Sequence, residues 1–142
     1  MDLVKGIKER RSIRKFQDKP IDRKLIEEIV ETARFAPSWK NTQIVRYLVV
    51  DDKEKIAAIA NSKCTYGFDY NIKAIAGAPA VVILTFVEGR SGFDKDGSFS
   101  TPKGEGWQMF DAGIAAQTFC LAAHEKGLGT VIQGYFDDAE LK

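Results

Sequence analysis

The sequence predicts a single domain that combines amphipathic helices with short β-branched strands. Three observations carry that prediction. At 142 residues the chain is one domain's length, and folding hides roughly two-thirds of the surface that such an unfolded chain exposes. Its composition, 44% hydrophobic and 29% charged, is that of ordinary globular chains. Segments with apolar residues at 3.6-residue spacing alternate with runs rich in Val, Ile and Phe, with no internal repeat, linker or low-complexity tract between them.

Leu3, Val4 and Ile7 share one face and predict a short helix from Asp2 to about Arg11. Asp22, after Pro20, is the expected N-cap of a second helix carrying Leu25, Ile26, Ile29, Val30 and Ala33, which Pro37 stops. Arg46 to Asp51 is a predicted strand, and Asp52 caps a predicted helix from Lys53 to Ala60. A loop follows around Cys64 to Tyr70. Ala80 to Val87 is apolar nearly throughout, which predicts a central strand buried on both faces. From Glu88 to Gly106 five glycines sit among Ser, Asp and Lys, a pattern that fits a flexible lid or a disordered spacer. Trp107 to Lys126 is the longest predicted helix. Its Phe110, Ala112, Ile114, Ala115, Ala116, Phe119, Leu121 and Ala122 cover most of the circumference, so it is buried on several sides, in a core or between subunits. Gly127 is its expected C′ residue, and Leu128 to Gln133 a further strand. Asp137 to Glu140 has the pattern of a capping box two residues before the sequence stops, so a C-terminal segment beyond residue 142 is expected.

Composition also narrows the function classes. With 21 Lys and Arg against 20 Asp and Glu, the formal charge of +1 provides no global field for nucleic acid or an anionic membrane, so an anion site has to be local. Cys64 and Cys120 stand far apart without metal-ligand spacing, which favours reduced, cytoplasmic chemistry and no metal centre. The N-terminus has no signal-peptide h-region, and the apolar run from Ala74 to Val87 is too short to span a bilayer. A single histidine, His124, falls near the polar end of the long helix, where a structural or solvated role is expected of it. Neither a P-loop nor a dinucleotide fingerprint is present. No nucleophile has an evident base, which points to chemistry carried by a cofactor rather than by a catalytic side chain.

Three segments could bind one. Arg10, Arg11, Ser12, Arg14 and Lys15 gather planar forks and a hydroxyl at a helix-to-loop transition, suited to a phosphate; a solvated basic helix end is the alternative. Pro37, Ser38, Asn41 and Gln43 form a polar turn whose amides match a heterocycle with imide edges, or simply end a helix. Gly129 to Gly134 is a strand end at which glycine lets the backbone approach a ligand, or a core strand running into a turn.

Taken in order, Arg10-Arg11-Ser12-x-Arg14-x-Phe16, Pro37-Ser38-x-x-Asn41-x-Gln43, Asp111 to Gln117 (DAGIAAQ) and Gly127-Leu128-Gly129-Thr130-x-x-x-Gly134 resemble the FMN-dependent nitroreductase family across nearly the whole chain. The resemblance implies an α+β sandwich, a mixed and mainly antiparallel sheet with helices on both faces. It also implies an interlocked homodimer with FMN at the subunit interface, and NADH or NADPH as electron donor. By resemblance, Arg10, Arg11 and Ser12 bind the phosphate and ribityl end, Arg14 and Asn71 the pyrimidine edge, and the backbone of Gln133 and Gly134 lies against N5 and O4. Pro37, Ser38 and Asn41 come from the other subunit, and Asp111 to Gln117 form dimer interface.

The implied reaction has two hydride half-reactions, ending on a nitroaromatic, quinone or related small acceptor. Dehalogenation, azoline oxidation and flavin destruction on the same scaffold, and a non-catalytic flavin- or phosphate-binding module, are the rivals. The chain departs from the family pattern at its C-terminus, where a further strand and a basic phosphate ligand are expected. It departs again at Trp39, a large residue at a usually small position, which either narrows the substrate side or fills the interface. Phe93, Phe99 and Trp107 are the candidate stacking surfaces, or else anchors of the loop before the long helix.

Overall fold

The computed structural model describes residues 2–141. Helix α1 spans Leu3–Glu9 and is capped by Asp2, whose carboxylate accepts from Lys5 N–H at 2.9 Å. Helix α2 spans Arg23–Ala33 under the expected Asp22 cap. Strand β1 (Val45–Val50) is followed by α3 (Lys53–Asn61), with Asp52 accepting from Lys55 N–H. A 3₁₀ turn at Lys63–Thr65 leads into α4 (Asp69–Ala76), then strand β2 (Val81–Phe86) and the 20-residue α5 (Gly106–Glu125). Each of the three aspartate caps satisfies an N–H that the first helical turn leaves free.

Strands β1 and β2 pair antiparallel with Tyr47 opposite Leu84 and Val50 opposite Val81, and Val87 N–H to Ile44 C=O extends the ladder. Helix α5 packs against α2, α1 and both strands, while α3 packs on α4. The core lies mainly at the α2–α5 contact, where Ile26, Ile29 and Ala33 meet a helix whose Ala112, Ala115, Cys120 and Ala123 are buried. Small residues dominate the buried face of α5. Tyr47 of β1 stacks on Phe119 at 5.5 Å, and Lys126 pairs with Glu28 at 2.7 Å across the two helices. The α+β class and the antiparallel pairing are therefore as the sequence implied.

Several elements differ from expectation. Helix α4 occupies residues read as loop and as apolar run. Strand β2 is not the middle of a sheet: among the described residues it has one partner, and it is half-buried. A continuous apolar run suits either a two-sided strand or, as here, a strand whose open edge borders an apolar trough. That trough, about 940 Å³, runs between Val81–Leu84, α5 and residues 128–133. Residues 128–133 do not form a strand; they make a single parallel bridge, Thr130 to Ser12, with Ile13 N–H donating to Thr130 C=O at 2.9 Å. The mixed character of the sheet is reduced to this one bridge. Gly129 lies so close to Ile13 that a Cβ would stand 2.9 Å from its side chain. Asp137 caps a 3₁₀ turn, Ala139–Leu141, in place of a helix start.

Segment 88–105 is laced to itself and to α5, unlike an open spacer. Phe93 bridges Phe99, Ser100 N–H donates to Gly92 C=O, and Trp107 Nε1 donates to Thr101 Oγ1 at 2.8 Å. Gln108 Oε1 accepts from Gly89 N–H. At the other end of α5, Gly127 takes φ +76°, and Leu128 N–H reaches Ala123 C=O while Gly127 N–H reaches His124 C=O, the paired bonds of a Schellman cap.

Helix α2 is tied to the end of β1 by a two-pronged contact, Arg23 Nε to Asp51 Oδ2 at 3.0 Å and Nη2 to Oδ1 at 2.6 Å. The hydrogen bond from Arg23 holds the Asp51 carboxyl below its ordinary 3.8. A depressed carboxylate contributes stability that is full above its unfolded pKa and is lost as pH falls through its folded one. Asp51→Asn is therefore expected to lower Tm at neutral pH, and the difference from wild type should shrink as the pH drops below about 4. Thermal melts across that range check it, and a pH-independent difference contradicts it.

Candidate functional site

The basic segment leaves α1 at Arg10 and runs extended past Ser12, where the Thr130 bridge holds it beside residues 128–135. This contact joins the two ends of the chain. Asn71, on α4, donates from Nδ2 to Tyr135 C=O at 3.3 Å, and the Arg14 guanidinium lies over the Tyr70 ring at 5.9 Å. The structure thus brings together the three segments that carry Arg10, Arg11, Ser12 and Arg14, then Asn71, and then Gln133 and Gly134.

The electrostatics of this group are open. Among the described residues Arg11 donates only to the carbonyls of Lys8 and Arg10, and Arg14 only to that of Ser12. No carboxylate among the described residues pairs with Arg10, Arg11, Arg14 or Lys15, whereas Arg23, Arg34, Lys40, Lys53, Lys73 and Lys126 are all ion-paired. Arg10 Nε is buried with no protein acceptor. A buried guanidinium donor left unpaired is costly, and an anion satisfies it. The backbone N–H groups of Gln133 and Gly134 likewise donate to no acceptor among the described residues. The arrangement presents positive charge at one end and free N–H donors at the other, complementary to an anionic ligand whose heterocycle carries acceptor edges.

Aromatic side chains flank it. Tyr66 and Tyr135 contact at 5.1 Å, Phe68 meets Tyr135 edge-on at 5.5 Å, and Phe68 and Tyr70 lie 6.3 Å apart. All four are exposed. These were not anticipated, because Tyr135 stands far from the others in sequence; the only local signal is the alternation of Tyr66, Phe68 and Tyr70. The aromatics singled out from the sequence pack elsewhere. Phe93 contacts Phe99 at 5.1 Å, and Trp107 contacts Trp39 at 4.4 Å and Phe110 at 5.5 Å.

Pro37, Ser38 and Asn41 are not part of the first group. With Gln43, Arg34, Arg46 and Asp111, Pro37 and Ser38 border a separate cavity of about 160 Å³, which no residue of the arginine group lines. Their loop is unusual: Lys40, Asn41 and Gln43 all have left-handed φ, at 44°, 55° and 50°. Such backbone costs non-glycine residues roughly 1–2 kcal/mol each, with Asn the most tolerant. Ser38 Oγ accepting from Gln43 N–H at 2.9 Å, and Arg46 Nη1 donating to Gln43 C=O, help hold it. Asp111, on α5, accepts from Trp39 N–H with both oxygens at 3.1 Å and from the Ser91 hydroxyl. Sequence reading assigned Asp111 to a subunit interface; it is buried inside the chain.

The trough beside β2 touches the first group at one side, since Asn71, Gln133 and Tyr135 are among its lining residues. Its walls are mostly hydrocarbon, and Arg10, Arg11 and Arg14 do not line it. Among the described residues no group of three or more His, Cys, Asp or Glu could hold a metal ion, and no helix is long and apolar enough to cross a membrane.

The family model for the nitroreductase family matches residues 7–65 and 68–142. The chain belongs to the nitroreductase family. A provisionally named NADH dehydrogenase/NAD(P)H nitroreductase of Methanothermobacter thermautotrophicus is 32% identical over 136 residues, covering 96% of this chain and 62% of that protein. An FMN reductase [NAD(P)H] of Bacillus subtilis is 30% identical over 137 residues, covering 92% of this chain and 53% of the relative. The chain thus spans between half and two-thirds of the length of these two relatives. Among solved structures, a nitroreductase family protein from Clostridium novyi NT superposes with a TM-score of 0.80 at 27% identity, covering 100% of this chain and 74% of its own. A provisionally named nitroreductase from Desulfovibrio desulfuricans, solved in complex with FMN, gives 0.70 at 27% identity, covering 95% and 69%. The matched family residues include both the arginine group and the strained loop.

Proposed function

We propose that this nitroreductase-family chain is an FMN-dependent oxidoreductase that takes hydride from NADH or NADPH and reduces a small aromatic acceptor such as a nitroaromatic or a quinone. The observation that carries the reading is the arginine segment without carboxylate partners, its Arg10 Nε orphaned, bridged at Ser12 to the segment that holds the free N–H groups of Gln133 and Gly134 and that Asn71 also contacts. Relatives named as an FMN reductase and a nitroreductase, and a neighbour solved with FMN, support the same cofactor.

Bound FMN supplies the hydride-accepting and electron-donating chemistry. The chain's residues do the rest. Arg10, Arg11 and Ser12 hold the phosphate and the ribityl end. Arg14 and Asn71 orient the pyrimidine edge, and Arg14 places positive charge where reduction accumulates negative charge. The N–H groups of Gln133 and Gly134 fix the opposite edge. No side chain has to act as acid or base. Tyr66, Phe68, Tyr70 and Tyr135 form an exposed aromatic wall beside Arg14 that suits a flat aromatic acceptor by offset or edge contacts.

The separation of Pro37, Ser38 and Asn41 from the arginine group supports a homodimer in which the loop of one copy completes the site of the other. Helices α1 and α5, which pack together, expose Leu3, Val4 and Ile7 and Met109 and Phe110, apolar surface of the kind a second copy covers.

An absorbance spectrum of the purified protein before and after anaerobic NADH or NADPH is expected to show flavin bands that bleach; a colourless protein that takes up no FMN overturns the reading. Arg14→Ala is expected to raise the Kd for FMN about tenfold or more, the loss of one charge-assisted contact, and to slow flavin reduction. Unchanged flavin content and reduction rate would remove Arg14 from the site. Phe68→Ala should raise KM for a nitroaromatic acceptor roughly 3–10-fold while leaving ferricyanide reduction as in wild type. An unchanged KM would show that the aromatic wall does not face the acceptor.

A further inference from the structure

Asp111 belongs to neither the arginine group nor the aromatic wall, yet it is the most thoroughly enclosed acid in the chain at 1% exposed. No cation among the described residues pairs with it; its partners are the Trp39 N–H and the hydroxyl of Ser91, itself 0% exposed. A carboxylate buried without a counter-charge is expensive, and a small apolar residue would serve mere helix packing better. What the carboxylate does is anchor two loops at once. Through Trp39 it fixes the start of the turn whose Lys40, Asn41 and Gln43 are left-handed, and strained backbone of that kind persists only where its surroundings over-determine it. Through Ser91 it fixes the start of segment 88–105. The Trp39 ring also lies 4.4 Å from that of Trp107 on α5, whose Nε1 donates to Thr101 Oγ1, so a second path through α5 links the turn to segment 88–105.

We propose that Asp111 is a positioning residue for the flavin site: its carboxylate sets the conformation in which Pro37 to Gln43 is offered to the cofactor, and couples that loop to segment 88–105. This rests on the proposed function, in which that loop contacts FMN. Asp111 acts through Trp39 N–H and need not touch the ligand. Asn at this position keeps the size but replaces one accepting oxygen with an NH₂ that faces the existing donors.

The test is FMN titration of the apoprotein, followed by flavin fluorescence, for wild type, Asp111→Asn, Ser91→Ala and Ile29→Ala. Ile29→Ala truncates the buried α2 face at a residue that does not line the cavity of Pro37, Ser38 and Asp111 and lowers Tm, so it reports what destabilisation alone does. The expected result is a Kd raised about tenfold or more in Asp111→Asn and roughly 2–5-fold in Ser91→Ala. Ile29→Ala should bind as wild type, and the tryptophan emission should shift in Asp111→Asn alone. If Asp111→Asn does not fold, Ser91→Ala decides, and wild-type affinity in that variant overturns the proposal. Wild-type affinity in Asp111→Asn overturns it as well, while the function reading stands. A wild-type protein that binds no FMN overturns the function reading and takes this proposal with it.

Discussion

The burial of α5 is the constraint on which the remaining structure depends. A 20-residue helix with Ala112, Ala115, Cys120 and Ala123 buried cannot face water on those sides. Helix α2, α1 and the β1–β2 pair gather round it in consequence. Its two ends then place the functional segments. Near the N-terminal end, Asp111 fixes the strained loop that begins at Trp39. At the C-terminal end, the Gly127 cap turns the chain back so that Thr130 meets Ser12 and the segment carrying Gln133 is bridged to the one carrying the arginines. Apolar packing thus sets the frame, and a few hydrogen bonds at the helix ends set the site.

Charge in this chain is local in effect. Overall it is almost balanced, at +1. Arg23, Arg34, Lys40, Lys53, Lys73 and Lys126 are paired with carboxylates, while Arg10, Arg11, Arg14 and Lys15 crowd positive charge without such a partner into one short segment. An exposed ion pair is worth little to stability, so those six pairs matter more for where an anion does not bind. Under the proposed function the arginines hold the phosphate end, the free backbone donors hold the ring, and the aromatic wall takes the acceptor. The loop of Pro37, Ser38 and Asn41 enters from a second copy.

Local signals in the sequence were legible where a single side chain decides the backbone. Asp22 and Asp52 cap the helices they were expected to cap, Asp2 caps a helix predicted to start there, and Gly127 closes α5 as its φ requires. Segments decided by tertiary partners were read less well. Helix α4 was hidden because Ala74 to Ala76 merge with the apolar run leading to β2. Leu128 to Gln133 has strand composition, yet strand formation needs a neighbour, and Thr130 finds only Ser12. The arginine motif announced itself through charge density. The aromatic wall did not, since Tyr135 joins Tyr66, Phe68 and Tyr70 only in the fold. Asp111 was visible as part of a motif, but its buried contacts to Trp39 and Ser91 span 72 and 20 residues and leave no trace in local pattern.

The central claim, that the unpaired arginines exist to hold the phosphate of a flavin nucleotide, is tested most directly by comparing FMN with riboflavin in equilibrium titrations of the apoprotein at low and high salt. The two ligands share the ring and differ by the phosphate. The account predicts that FMN binds at least about a hundredfold more tightly at low salt, from two or more charge-assisted contacts, and that added salt narrows the gap. Equal affinity for the two ligands at low salt would contradict it.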